Sequence, residues 1–257
     1  MKIQFLGTGA ADWNWKVPLT SDVRGSTSTL LDGKILIDAG ETGWQNITRF
    51  QADPAEITDL LITHSHSDHF NAEQIRQIAT APGRKETLTV YTSPEAVQRL
   101  DAAVMNTVAM KFGDKFVIQG LEFEVLSANH VLSNDMEAAY HFVIVTPEKK
   151  RLFYALDSGW MTSYTRTKLG RTHLDMIIWD ATTGTTRNDW RFADHNDLWM
   201  IQSMRESMEK LEIINEKTVH IFDHIARTLW PVCPDERKKT AESFQGILAE
   251  DGLIIKL

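Results

Sequence analysis

The 257-residue sequence has a single cysteine, Cys233, so no intrachain disulfide can form and a reducing, cytoplasmic setting is the expectation. Flanked by Pro231 and Pro234 with no adjacent base, that thiol reads as a plain loop residue. No apolar stretch approaches the roughly 20 residues that a membrane span needs. The opening Met-Lys-Ile-Gln-Phe-Leu-Gly runs straight into a strand-like pattern, without the apolar core and small-residue cleavage site of a leader. Basic charge is scarce as well. A net charge of −8 offers little footprint for extended nucleic acid, yet it permits a small phosphate substrate if a bound cation supplies the positive field. Linkers rich in Gly, Ser or Pro, low-complexity stretches and fixed-period repeats are all missing. A single domain over residues 1–257 is therefore the expected organisation.

Strands and helices alternate along this chain. Runs with strand character fall at 2–6, 27–31, 34–38, 58–63, 88–92, 116–126, 139–146, 151–156, 176–180, 218–222 and 253–257. Asp32-Gly33 between two of them is a hairpin signal. Helical periodicity covers 72–81, 95–110, 162–169, 198–213 and 235–250, the last with Asp235 as its expected cap and Gly252 beyond its end. The pattern predicts an α/β fold with helices outside mostly antiparallel or mixed sheets.

One stretch resists a packing explanation. "THSHSDHF", residues 63–70, puts three imidazoles and a carboxylate directly after the apolar run containing Leu60, Leu61 and Ile62. His64, His66, Asp68 and His69 are ligand types that suit zinc, manganese or iron. In an extended segment His64 and His66 project to one side, while Asp68 and His69 turn toward a neighbouring ion. Further candidates stand where other apolar runs end: His130, Asp157 and His224. The "GTGA" turn at 7–10 is not a dinucleotide loop, because Asp12 occupies the third glycine position and "WNWKVP" cannot open a helix.

"THSHSDHF" followed in order by His130, Asp157 and His224 resembles the metallo-β-lactamase superfamily, and "FLGTGA" and "ILIDAGE" are similar to its first strand and its strand-end aspartate, Asp38. The resemblance runs from residue 3 to about 230. It implies an αββα sandwich, two mixed sheets flanked by helices, with two divalent metal ions, zinc or manganese. By that resemblance His64, His66 and His130 hold the first ion, Asp68, His69 and His224 hold the second, Asp157 bridges them, and Asp38 orients ligands by hydrogen bonding. A hydroxide bridging such a pair is the implied nucleophile of a hydrolase.

The segment "WDATTGTTRNDWRFADHNDLWM", residues 179–200, bears on the substrate. His195, just before a helix, is similar to an active-site histidine of the superfamily's phosphodiesterase branch, seen in transfer-RNA 3′-processing nucleases and phosphoribosyl cyclic phosphodiesterases. Its implied role is to hydrogen-bond the phosphoryl oxygens or protonate the leaving alkoxide. His195 and Asp68 are thus the catalytic candidates, and a small cyclic phosphate or nucleotide-like ester is the expected substrate. The cysteine cluster that builds an additional zinc site in the cyclic phosphodiesterases is absent near this N-terminus, which leaves the substrate itself open. Alternatives are a transfer-RNA 3′ endonuclease, a thioester or lactone hydrolase that gives His195 no task, and a di-iron redox protein. The redox branch commonly carries Glu where His66 stands, which favours hydrolysis.

Other polar residues read as structural or solvated: His141, His173, His220 and the basic clusters at 149–151 and 237–239. Arg187, Arg191 and Arg227 flank the site segments and could grip a phosphate. Trp13 and Trp15, in the loop 11–18, could stack on a base or ribose ring, or pack against a second subunit in a homodimer.

Overall fold

The computed structural model describes residues 1–20, 22–132 and 137–257. Its contacts group the chain into two compact units, Met1–Lys111 with Leu132–Ala138 and Glu250–Lys256, and Phe112–Val131 with Ala139–Ala249 and Leu257.

The first unit carries strands β1 (Lys2–Gly7), β2 (Ser28–Leu31), β3 (Ile35–Ile37), β4 (Asp59–Leu61), β5 (Thr89–Thr92), β6 (Asn106–Ala109) and β14 (Ile254–Lys256), with helices α1 (Gly43–Arg49), α2 (Ala72–Ala79) and α3 (Pro94–Val97). These strands form one seven-stranded sheet in the order β14-β1-β2-β3-β4-β5-β6. Pairing is antiparallel from β14 to β3 and parallel from β3 to β6. Between β2 and β3 the turn residues Asp32 and Gly33 both have positive φ, 47° and 74°, the paired left-handed geometry that a two-residue hairpin demands. Every residue of β3 and β4 is buried, as expected of parallel strands covered on both faces. Ile75 and Ile78 of α2 pack with Leu36, Leu60 and Val90 in the core of this unit.

The second unit carries β7 (Lys115–Ile118), β8 (Leu121–Ser127), β9 (Tyr140–Val145), β10 (Arg151–Ala155), β11 (Met176–Asp180), β12 (Val219–Asp223) and β13 (Ile247–Leu248), with α4 (Ser163–Leu169), α5 (Leu198–Lys210) and α6 (Pro234–Ser243). Its sheet runs β13-β12-β11-β10-β9-β8-β7, again seven strands. Pairing is antiparallel from β7 to β10 and parallel from β10 to β13. Both sheets thus read three antiparallel pairings followed by three parallel ones, although the sequence shows no repeat. The core under α5 gathers Ile201, Met204 and Met208 against Ile177, Trp179 and Phe222.

Several expected elements differ. The apolar run 116–126 is two strands, not one. Gln119 and Gly120, at φ 50° and 81°, make a second tight hairpin turn inside it. The helix expected over 95–110 stops at Val97, and Asn106–Ala109 instead forms β6, whose backbone pairs with β5 in register from Thr89↔Asn106. Thr107 and Val108 are β-branched and favour that outcome. Helix α1, which has no strong apolar period, was not expected. At the C-terminal end α6 begins at Pro234 with Cys233 as its cap residue rather than Asp235, and β13 takes the end of the range read as helical. No helix is long and apolar enough to cross a membrane among the described residues.

Candidate metal centre

In the first unit the donors follow the parallel strands. Asp38 comes directly after β3 with φ of 63° and is fully buried. Its Oδ1 accepts the Thr63 backbone N–H at 2.7 Å, and the Thr63 hydroxyl also donates to the carboxylate, 2.9 Å from Oδ2. Oδ2 accepts from His69 Nδ1 at 2.8 Å. Burial pushes the Asp38 carboxyl above its usual range, and the bonds from His69 and Thr63 pull in the other direction. Because the single Thr63 hydroxyl proton goes to Asp38, the hydroxyl oxygen accepts from His64 Nδ1, 3.1 Å away. His64 and His69 are thereby both committed as donors at Nδ1 and keep the lone pair on Nε2.

The loop itself is pinned from two sides. Ala39 N donates to His69 O at 2.9 Å and Glu41 N to Ser67 O at 3.0 Å, and a Cβ on Gly40 would meet Asp68 O at 2.2 Å. The close approach requires glycine there. Glu137 accepts from Ser65 Oγ at 2.5 Å and from Ser93 Oγ at 2.9 Å. Within the loop a turn closes from His66 O to the His69 and Phe70 amides. His64 Nε2 and His66 Nδ1 then face each other at 3.0 Å, and His69 Nε2 lies 3.5 Å from Asp68 Oδ2.

In the second unit three parallel strands end side by side, with Ala155, Trp179 and Phe222 in register. The residues beyond them carry the polar groups: Asp157 with φ of 48°, Asp180 at the last position of β11, and His224 with φ of 59°. Asp180 Oδ1 accepts Thr182 N at 2.8 Å and the Thr182 hydroxyl at 2.7 Å, while Oδ2 accepts Ser158 N at 3.0 Å and His195 Nδ1 at 2.7 Å. The threonine proton is again spent on a carboxylate, so Thr182 Oγ1 accepts from His224 Nδ1 at 2.7 Å. His224 Nε2 lies 3.1 Å from Asp157 Oδ1. His130, three residues beyond β8, donates from Nδ1 to the Asp194 carbonyl at 3.1 Å and brings Nε2 to 3.7 Å from Asp157 Oδ2. Burial alone would raise the Asp180 carboxyl and lower His195. Their mutual attraction overrides both effects, holding Asp180 below and His195 above the ordinary value.

The donor chemistry fits metal ions. His64, His69, His130 and His224 each give Nδ1–H to a fixed protein acceptor and keep Nε2 for coordination, the arrangement that fixes ring orientation in metal-binding histidines. In the second unit the donor atoms of His130, Asp157 and His195 lie within 4.8 Å of one another, as do those of Asp180, His195 and His224. Zinc and manganese both accept such nitrogen and carboxylate sets.

A family model described as the beta-lactamase superfamily domain matches residues 34–225, most of the chain and parts of both units. The chain belongs to the metallo-β-lactamase superfamily. Over 103 residues this superfamily member is 36% identical to ribonuclease Z of Methanococcus maripaludis, a match covering 39% of this chain and 32% of that one. It spans about a third to under a half of the length of the curated relatives it matches. Among solved structures it is similar to zinc-bound PqqB from Methylobacterium extorquens, with a TM-score of 0.75, 18% identity and all of both chains covered. A diphosphatase of the PhnP family gives a TM-score of 0.74 at 17% identity, over 100% of this chain and 97% of that one. At such identities the likeness is one of fold, and two mixed sheets flanked by helices make the metallo-β-lactamase fold that the sequence implied.

Some side chains were misjudged or missed. Trp13 is buried and offers no open stacking surface, while Trp15 is half-buried with its indole N–H held by the Arg24 carbonyl at 2.9 Å. Arg191 is tied to Asp189 at 2.7 Å. Thr63, Thr182, Glu137 and Asp180 carry no signature of a site role in the sequence. Each is an isolated polar residue whose partner is distant in sequence or itself unremarkable. His141 and His220 are structural, as expected: His141 Nε2 donates to the Leu156 carbonyl at 3.1 Å, and His220 Nδ1 accepts the Trp179 indole N–H at 3.1 Å.

Proposed function

We propose that this hydrolase-family chain is a phosphodiesterase acting on a small phosphoester, with His64, His66, Asp68, His69, His130, Asp157 and His224 as ligands of two divalent ions, zinc or manganese. Bound there, the ions supply Lewis acidity and a water activated at neutral pH. Asp157 would serve both ions. Asp38 and Asp180, each through a threonine hydroxyl, keep the histidine rings in the coordinating tautomer.

The observation that carries the phosphoester reading is the His195–Asp180 pair. His195 donates Nδ1–H to a fully buried carboxylate at 2.7 Å, which stabilises the protonated ring and leaves Nε2–H as a second donor. Such a group can bind phosphoryl oxygens and give its proton to a leaving alkoxide. A thioester expels a thiolate, a better leaving group than an alkoxide, and makes no comparable demand. The likeness to ribonuclease Z and to a PhnP-family diphosphatase supports the same chemistry. Transfer-RNA 3′ processing is the second reading, favoured by the ribonuclease Z match, while the net charge of −8 favours the smaller substrate.

The test is a parallel screen of metal-loaded protein on bis-aryl phosphodiesters, cyclic ribose phosphates, lactones, thioesters and a precursor transfer RNA. His195→Ala is expected to retain both metals and lose about 10²–10⁴-fold in turnover on a phosphodiester with a poor leaving group. Undiminished turnover in that variant, or a preference for lactones or thioesters, refutes the assignment.

A further inference from the structure

Sequence and solvent exposure disagree around the His195 segment. Trp190, Phe192, Trp160 and Trp199 leave 77%, 60%, 47% and 41% of their surfaces exposed, and Trp160, Trp190, Phe192 and Trp199 line one groove of about 640 Å³. Clustered exposed aromatics of this kind mark a recognition surface rather than ordinary protein exterior. The volume falls in the range of small-molecule sites.

The groove is built on the two segments that carry the second unit's polar cluster. Trp160 stands three positions after Asp157. Gly159 packs so closely on the 3-10 turn Trp190–Ala193 that a Cβ there would meet Ala193 O at 2.4 Å. That turn runs directly into His195, whose amide donates to Arg191 O at 2.8 Å. On the other wall Trp199 lies in the first turn of α5, with its ring edge-on to Phe244 at 4.8 Å between centroids. Arg187 sits over the Trp199 face, 4.5 Å from guanidinium carbon to ring centroid. Among the described residues no carboxylate pairs with it. The neighbouring Arg191, by contrast, is neutralised by Asp189.

We propose that this groove is a nucleotide subsite, in which tryptophan faces stack on a nucleobase and Arg187 meets an anionic phosphate oxygen. Aromatic faces accept any base by stacking, and a guanidinium already lying flat on an indole keeps its edge donors for an anion. Arg187 is exposed and free of any carboxylate pair among the described residues, so it gives an anionic occupant an anchor that a purely apolar one would not use. The inference rests on the phosphoester reading of His195 and names the substrate class as a nucleoside phosphoester.

The test is binding of adenosine 5′-monophosphate and ribose 5-phosphate to the 257-residue protein, followed by tryptophan fluorescence quenching. Adenosine 5′-monophosphate is expected to quench saturably, ribose 5-phosphate is not, and Trp190→Ala should weaken the nucleotide by about 10-fold, as loss of one stacking face does. Trp190 is exposed, so that variant folds. Arg187→Ala should weaken the nucleotide but not free adenosine. Equal binding of the two phosphates, or unchanged affinity in Trp190→Ala, overturns the proposal. So does a dimer that Trp190→Ala turns into a monomer with nucleotide affinity intact, since the groove would then be a subunit contact. Neither probe is a phosphodiester. Failure of the phosphodiesterase screen with nucleotide bound leaves the subsite standing, and the opposite pattern removes the subsite alone.

Discussion

Acidification should destabilise this protein in part through His220. Its ring is buried in β12, where Nδ1 accepts the Trp179 indole N–H at 3.1 Å. Protonation would set an N–H against an N–H. Burial, together with the nearby Arg205 guanidinium on α5, depresses the His220 pKa to about 3. The unfolded chain takes up this proton near pH 6.5, while the folded chain refuses it until about pH 3. Above pH 6.5 the residue is neutral in both states and contributes no pH dependence. Between those limits the unfolded state binds more protons, so stability falls as pH falls, by at most about 1.36 kcal/mol per unit. From pH 7 to 5 the expected loss from this one residue is therefore about 2 kcal/mol. The assay is urea unfolding of wild type and His220→Gln at pH 7, 6 and 5 with a chelator present, so that proton-linked metal release does not contribute. Glutamine keeps an acceptor for the indole and does not titrate. His141, whose pKa burial lowers to about 4, acts in the same direction in both proteins and cancels in the difference. Wild type should lose about 2 kcal/mol more than the variant across that span. Curves that fall in parallel would refute the reasoning.

Two further perturbations probe the halves separately. Asp251 accepts from Thr8 N at 3.0 Å, Thr8 Oγ1 at 2.7 Å, Gly25 N at 2.7 Å and Arg49 Nη1 at 3.1 Å. Asp251→Ala strands several part-buried donors, at a cost of about 3 kcal/mol, which should lower Tm by about 6–12 °C in a thermal melt. An unchanged Tm would show that water replaces the carboxylate. Asp157→Ala should bring bound metal, measured by elemental analysis, below the two equivalents expected of wild type and abolish hydrolysis with it. Retention of both ions would remove Asp157 from its bridging role.

The arrangement of polar residues past apolar runs was legible because parallel strands place their ends on one edge. Asp157 and His224 follow β10 and β12 in that way, and His64 follows β4. The Asp32-Gly33 turn was legible for a comparable reason, since few residue pairs tolerate two consecutive positive φ values. Less was visible where partners lie far apart. Nothing near Glu137 in the sequence points to Ser65 and Ser93, and a lone threonine after an apolar run carries no signature until its aspartate is located in space. The 95–110 stretch misled because its period suits a helix, while backbone pairing with β5, a tertiary effect, decides the state of its last residues. Trp13 and Trp15 were read as surface aromatics from their loop, yet the exposed tryptophans stand at 160, 190 and 199.

Both sheets change from antiparallel to parallel pairing midway, and the two tight hairpins belong to the antiparallel stretches. Apart from His130, which follows β8, the candidate donors therefore belong to the parallel portion of each sheet and the tight connections to the antiparallel portion. The crossovers between parallel strands are long and can gain insertions that reshape what is recognised. The two-residue reversals keep the strands in step while that happens. A lineage built this way can exchange one substrate for another by editing its crossovers, leaving the scaffold that aims the donors undisturbed.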